Sequence, residues 1–271
     1  MLMKIALGQM NAKTDKAANL TRMAAFAAEA GAAGADLLVF PECAMLLNPD
    51  PTAALGPIAE PVDGPFVSAL GDLARRHHLA IVSGMYESIP GSEKAHNTSV
   101  AIAADGSLIG AYRKIHLFDA FGYRESDKIV PGDGETVVFE LAGMKLGLQT
   151  CYDVRFPELA RHLMDRGVEV IVQPTAWAHG LLKEQHWETL VRARAIENTC
   201  YMAACDQTLG TLSGNSMLVD PMGVAIARAG ETECLVIGEA SPERVRTVRA
   251  NVPTLLHRRP DVYTGWQPVA R

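Results

Sequence analysis

The chain has 271 residues and a formal net charge of −6, from 25 Lys and Arg against 31 Asp and Glu. Its 48% hydrophobic and 21% charged residues are those of a globular protein, which excludes a disordered chain, a coiled coil and a collagen-like repeat. The acidic balance, with an isoelectric point near 5.8, lacks the positive footprint needed to bind nucleic-acid backbones. The run Met1 to Gln9 is broken by Gly8 and Gln9 and does not read as a signal peptide. No stretch approaches the roughly 18 apolar residues of a membrane span. Five cysteines, odd in number and without a CxxC pair, argue against a disulfide framework or zinc ribbon and fit a reducing cytoplasm. No linker, repeat or composition break divides residues 1–271, so one domain is expected, with the last eight or so residues as a tail.

Strands alternate with helices along the chain. Lys4 to Met10 reads as a first strand, and Asp15 to Ala30 carries helical spacing in Leu20, Met23, Ala24 and Ala27, closed by Gly31. Asp36 to Phe40 is a short continuous apolar run, as expected of a strand buried on both faces. A helix over Phe66 to His78 and a strand over Leu79 to Tyr86 follow, then a hairpin of Val100 to Ala104 and Ser107 to Tyr112 joined by Asp105-Gly106. Met144, Leu146 and Leu148 alternate with Lys145, Gly147 and Gln149, and Pro157 opens a helix that Gly167 closes. Val168 to Val172 is the next strand. Helical spacing returns at Trp187, Leu190, Val191 and Ile196, and Cys200 and Cys205 flank a further strand as core filler. Late strands cover Ser216 to Val219, Val224 to Arg228 and Cys234 to Gly238, before a helix over Arg244 to Leu256 interrupted near Pro253. This interleaving predicts α/β layers with both parallel and hairpin pairs.

Three chemistry-bearing residues stand at strand ends: Glu42, Lys114 and Cys151. In open α/β sheets, ligands collect beyond the carboxyl ends of strands, and a strand-to-helix turn exposes a side chain beside free backbone N–H groups. By position alone, each is equally well a solvated charge or a buried thiol. His116 shares a strand face with Lys114 but has no orienting partner for a thiol–imidazole dyad. His186, near Glu184 and Glu188, lacks the HExxH pattern of a zinc site. Cys43 in an extended backbone would point away from Glu42 and pack. Arg244, Arg246, Arg249, Arg258 and Arg259 read as a solvated face or a subunit contact.

Phe40-Pro41-Glu42, Tyr112-Arg113-Lys114-Ile115-His116-Leu117 and Cys151-Tyr152-Asp153-Val154-Arg155-Phe156-Pro157-Glu158 together resemble the nitrilase superfamily of carbon–nitrogen hydrolases. The similarity continues through Arg192 to Asn198 and Val219 to Gly223 and spans Lys4 to about Tyr263. The resemblance implies a four-layer α-β-β-α sandwich, frequent homodimers or higher homo-oligomers, and a Glu-Lys-Cys triad at Glu42, Lys114 and Cys151, with Glu125 as a second carboxylate. These residue types suit thiol-mediated amide hydrolysis. Glu42 would act as base and then acid; Lys114 would lower the thiol pKa and hold an oxyanion, with the Tyr152 amide as second donor. Two close carboxylates repel, so one is expected to stay protonated until substrate arrives. No cofactor or metal is required, because the triad supplies nucleophile, base and electrophile.

The expected substrate is a small-molecule amide. Cys151-Tyr152-Asp153 is similar to amidase branches, whereas true nitrilases tend to carry Trp-Glu after the cysteine. In the branch that hydrolyses ω-amides of dicarboxylic acids, an Arg at the position of Arg155 binds the substrate carboxylate by a bidentate fork. The competing reading pairs Arg155 with Glu158 or Asp153 in the scaffold. Pro174-Thr175-Ala176-Trp177-Ala178 departs from the Pro-Ser-Ala-Phe-Thr of that branch, and Trp177 is expected to narrow the pocket. Nitrile and N-carbamoyl hydrolysis, and a non-catalytic interaction module, remain the alternatives.

Overall fold

In the computed structural model, which describes residues 2–48, 50 and 52–265, strands and helices follow one another as β1 (Met3–Gln9), α1 (Lys16–Ala32), β2 (Leu37–Val39), α2 (Pro65–His77), β3 (Ala80–Ser88), β4 (Ala95–Ile102) and β5 (Leu108–Arg113). Two-residue strands β6 (Asp119–Ala120) and β7 (Tyr123–Arg124) make a small ribbon. The second half runs β8 (Val138–Leu141), β9 (Met144–Leu148), α3 (Pro157–Asp165), β10 (Val170–Thr175), α4 (Lys183–Asn198) and β11 (Tyr201–Asp206). Then come β12 (Thr208–Leu209), β13 (Leu212–Ser213), β14 (Met217–Val219), β15 (Ala225–Arg228), β16 (Cys234–Ala240), α5 (Pro242–Asn251) and α6 (Pro260–Tyr263).

Local chemistry sets the helix starts. Asp15 accepts the amides of Ala17 and Ala18 and caps α1. Pro65 and Pro157 open α2 and α3, where a missing N–H removes no intrahelical bond.

Two six-stranded mixed sheets result, ordered β16-β1-β2-β3-β4-β5 and β15-β14-β11-β10-β9-β8. Each has a parallel centre, β1-β2-β3 in one and β9-β10-β11 in the other, flanked by antiparallel strands. The period-two alternation of side chains builds the layers. Val39, Val82, Leu148, Val170 and Val172 meet between the sheets. Leu38 and Ile81 face outward onto Met23 and Phe26 of α1 and Phe66 and Leu70 of α2. Ile171 and Met202 face the opposite side, onto Leu163 of α3 and Trp187 and Val191 of α4. The order of layers is therefore helix, sheet, sheet, helix, the sandwich expected from the resemblance.

Three elements differ from the sequence reading. β4 begins at Ala95 rather than Val100, because its polar start His96-Asn97-Thr98-Ser99 is a paired strand with three of those four side chains buried. β10 continues through Pro174 to Thr175; its pairing with β9 stops at Val172, and beyond that point only β11 is opposite. α5 ends at Asn251, two residues before Pro253. The expected C-terminal tail falls mainly on residues 266–271, outside the described residues. No helix among the described residues is long and apolar enough to cross a membrane.

Candidate active site

Glu42 lies three residues beyond β2, Lys114 directly after β5, and Cys151 three residues beyond β9. All three line one cavity of about 540 Å³. The Lys114 ammonium donates to Glu42 Oε1 at 2.9 Å and to Glu125 Oε2 at 2.8 Å. Asn97 Nδ2 bridges the same two carboxylates at 2.7 and 2.9 Å. Each carboxylate also accepts a backbone amide at 2.7 Å: Glu42 Oε2 takes Ala176 N–H, on the oxygen that Lys114 leaves free, and Glu125 Oε2 takes Phe118 N–H beside the Lys114 ammonium. Glu42, Lys114, Glu125 and Cys151 are all buried.

Cys151 takes a left-handed backbone conformation (φ 47°) at the start of a 3₁₀ helix, Cys151–Arg155. Thr150 and Asp153 cap that helix reciprocally. Asp153 also accepts from the Tyr112 hydroxyl at 2.7 Å, and Gln173 Nε2 donates to the Cys151 carbonyl at 3.2 Å. The Cys151 backbone is thus pinned from β5, β10 and its own turn. Its Sγ lies 4.0 Å from the Ala176 carbonyl, and Ala176 is the residue whose amide holds Glu42.

Burial pushes the Cys151 thiol well above its ordinary range, the Glu42 carboxylate pushes the same way, and Lys114 opposes both without prevailing. The surroundings of Cys151 therefore favour the thiol over the thiolate, against the lowering expected from Lys114. Burial also acts against the Lys114 ammonium, yet Glu125, Glu42 and Cys151 together hold it well above the lysine range. Burial pushes Glu125 up, but Lys114 and the Phe118 and Asn97 hydrogen bonds keep it below the usual carboxylate range.

Tyr152 and Trp177 line the cavity with Cys151. Tyr152 meets Phe118 edge to face at 5.1 Å. Trp177 is fixed by its amide on Asp206 Oδ1 at 2.8 Å and by its indole N–H on the Lys183 carbonyl at 2.7 Å. Burial pushes the Asp206 carboxyl well above its ordinary range. Arg155 is not part of the cavity wall. Its guanidinium carbon lies 4.9 Å from the Trp177 ring and 5.8 Å from that of Tyr152. Among the described residues no carboxylate lies in ion-pair range of it, neither Glu158 nor Asp153, and Nη2 is buried without a hydrogen bond. Instead, Asp153 accepts His116 Nδ1 at 2.8 Å, and the His116 ring stacks on Phe156.

Cys43 has φ 57° and lines the cavity beside Glu42, where an extended backbone would have turned it away. Cys200 and Cys205 are fully buried. Asn97 and Lys183 were not anticipated as site residues. The first is placed by the early start of β4, and the second opens α4 after the left-handed residue Leu182. His186 Nδ1 is buried and unpartnered, and no group of three or more His, Cys, Asp or Glu among the described residues could hold a metal ion.

Gly84 on β3 lets that strand pass directly under Glu42. A Cβ there would stand 2.6 Å from Glu42 Cα and 2.7 Å from the Cys43 nitrogen. Gly84→Ala must therefore displace Glu42, and kcat should fall by about 100-fold, the scale of a 1 Å misplacement. Steady-state ammonia release checks this; an unchanged kcat would show that Glu42 tolerates the shift.

Known proteins resemble this chain in sequence and in fold. The carbon-nitrogen hydrolase family matches residues 4–250. Deaminated glutathione amidase from Escherichia coli O157:H7 is 40% identical over 259 residues, 95% of this chain and 97% of that protein. Nit3 from Saccharomyces cerevisiae, a member of branch 10 of the nitrilase superfamily, superposes with a TM-score of 0.84 at 31% identity, covering 93% of this chain and 94% of its own. A Glu-to-Gln mutant of the amidase from Nesterenkonia sp. AN1, seen with the acetamide moiety of fluoroacetamide covalently added at its active-site cysteine, gives a TM-score of 0.84 at 27% identity, covering 98% and 97%. With matching sheets, a matching sequence over nearly its whole length and a thiol in a shared cavity, the chain belongs to the carbon–nitrogen hydrolases of the nitrilase superfamily, among the amidases that act on carbon–nitrogen bonds other than peptide bonds.

Proposed function

We propose that the protein hydrolyses a small-molecule carboxamide to a carboxylic acid and ammonia through a thioester on Cys151. The observation that carries this reading is the junction at Ala176, whose amide holds Glu42 while its carbonyl contacts Sγ. Glu42 removes the thiol proton as sulfur attacks the amide carbon. Negative charge then develops on the carbonyl oxygen, where the Lys114 ammonium and the Tyr152 amide, in the first turn of its helix, act as donors. The C–N bond breaks as Glu42 returns the proton to nitrogen, and ammonia leaves. Water, deprotonated by Glu42, attacks the thioester carbon. The acid departs and sulfur regains its proton.

Lys114 is locked between two carboxylates, so it acts as a fixed cation and not as a proton carrier. Glu125 and Asn97 position it, and Glu125 touches the substrate side of the cavity as well. Residues 1–271 are read as one hydrolase domain. The five free cysteines support residence in a reducing cytoplasm. Self-association as a homo-oligomer belongs to the same reading, and sedimentation equilibrium checks it.

Wild-type enzyme incubated with linear amides should release ammonia and acid in equal amounts, and acid quenching during turnover should trap an acyl group on Cys151, visible by peptide mass. Release of ammonia with no adduct on Cys151 would overturn the thioester route. Carbon dioxide in addition to ammonia would identify carbamoyl hydrolysis instead, and turnover of nitriles in place of amides would identify nitrile hydrolysis.

A further inference from the structure

The cavity over Cys151 holds a cation with no anion to meet it. The Lys183 ammonium lies 4.7, 5.1 and 4.8 Å from the ring centres of Phe118, Phe121 and Trp177. The residue is only 5% exposed, and it lines the cavity. Among the described residues no carboxylate lies within ion-pair range of it and no oxygen accepts from its ammonium. The nearby acids are all engaged: Glu42 and Glu125 with Lys114, Glu184 with His179, and Asp206 with the Trp177 amide. Ring faces offset part of the cost of burying an ammonium, but a cation so placed lacks its counter-ion. Burial pushes the Lys183 pKa down and Arg155 adds to it, and the opposing influence of Cys151, Asp206 and Glu184 does not make up the difference.

We propose that Lys183 is the specificity residue of this site and takes the carboxylate of an ω-amide acid whose other end presents its amide to Cys151. The proposal rests on the amide-hydrolase reading above. It moves substrate recognition from Arg155, which lies outside the cavity wall, to a cation inside it. Phe118, Phe121 and Trp177 would contact the methylenes between the two ends. The cavity's remaining lysine, Lys128, lies 5.6 Å from the Tyr123 ring and in the field of Asp50, so it is the weaker competitor.

The test compares glutaramate with uncharged pentanamide on wild type, Lys183→Met, Lys183→Arg and Lys128→Met. Wild type should prefer glutaramate. Lys183→Met should lower the glutaramate-to-pentanamide ratio of kcat/KM by about 10- to 100-fold, mainly through the glutaramate KM, as loss of a charged hydrogen bond predicts. Lys183→Arg should keep most of the ratio. Pentanoate, which has the distal carboxylate and no amide, should slow iodoacetamide labelling of Cys151 in wild type and not in Lys183→Met. If the Met variant does not fold, pentanoate against pentanamide on wild type and the Arg variant decides. A ratio unmoved by Lys183→Met, a ratio lost with Lys128→Met instead, or no protection by pentanoate overturns the assignment. Failure of wild type to release ammonia from either amide counts against the hydrolase reading, whereas release without preference counts against Lys183 alone.

Discussion

Glu42→Gln should make Cys151 react faster with iodoacetamide and yet hydrolyse amides about 10²- to 10⁴-fold more slowly, the usual contribution of a general base. The two effects have opposite signs because Glu42 acts on the thiol in two ways. Its charge is the second force, after burial, that keeps the thiol protonated, and Lys114 pulls in the other direction. Removing the negative charge leaves Lys114 less opposed, so more thiolate is present and alkylation speeds up. Turnover falls because no group remains to collect the thiol proton or to deliver it to the leaving nitrogen. The amide replacement also cannot accept from both the Lys114–Asn97 side and the Ala176 N–H, so stability should drop by about 1–3 kcal/mol. Second-order alkylation rates at pH 7 beside steady-state kcat test the pair. Slower alkylation, or kcat within a few-fold of wild type, would mean that some other group holds the proton.

This coupling explains which parts of the site could be read from the chain alone. Glu42, Lys114 and Cys151 stand where an apolar or alternating strand stops, and strand ends are what hydrophobic periodicity marks best. Val39, Leu148 and their partners bury both faces, which fixes the ends of β2 and β9 and so aims the next residues into one space. Asn97 was hidden for the converse reason. His96-Asn97-Thr98-Ser99 reads as a loop because its polar side chains show no apolar face, although Thr98 and Ser99 are fully buried and bonded to Glu87 and Thr150. A buried polar face next to a site satisfies itself through partners far away in sequence, and no local pattern records them.

Cys43 and Lys183 were obscured by backbone geometry. Both depend on non-glycine residues in the left-handed region, Cys43 itself and Leu182 before Lys183. Such conformations are uncommon for these residue types and are imposed by surrounding packing. The Arg155 fork was legible as a cation beside the nucleophile, but its direction was not. In the 3₁₀ turn Cys151–Arg155, four residues carry the chain past the cavity wall, so the guanidinium meets the Trp177 ring from outside the lining. The sandwich followed from interleaved periodicities; the site's walls followed from turns, and turns are where the sequence signal is thinnest.

Lys114→Met should both slow turnover severely and invert the pH dependence of stability. In the wild type the ammonium satisfies two buried carboxylates at 2.9 and 2.8 Å. Removing it leaves them facing each other uncompensated, at a cost of about 3–5 kcal/mol for a broken buried pair. Loss of the oxyanion donor alone should lower kcat by about 10²- to 10³-fold. The sign of the pH effect follows from Glu125. Its folded pKa is now depressed, so its contribution is present above the unfolded carboxylate value and is lost as pH falls through the folded one. Without Lys114, burial dominates and the folded pKa rises above the unfolded value. Its contribution is then fully present below the unfolded value and is lost as pH rises through the folded one. Thermal melting of the variant between pH 4 and 7 should therefore show Tm falling with rising pH relative to wild type. Adding Glu125→Gln should restore part of the loss and flatten that slope, because one of the two stranded charges is gone. A double variant no more stable than Lys114→Met would show that Lys114 supports the fold through its stem and not through its charge, and the two carboxylates would then need another source of compensation.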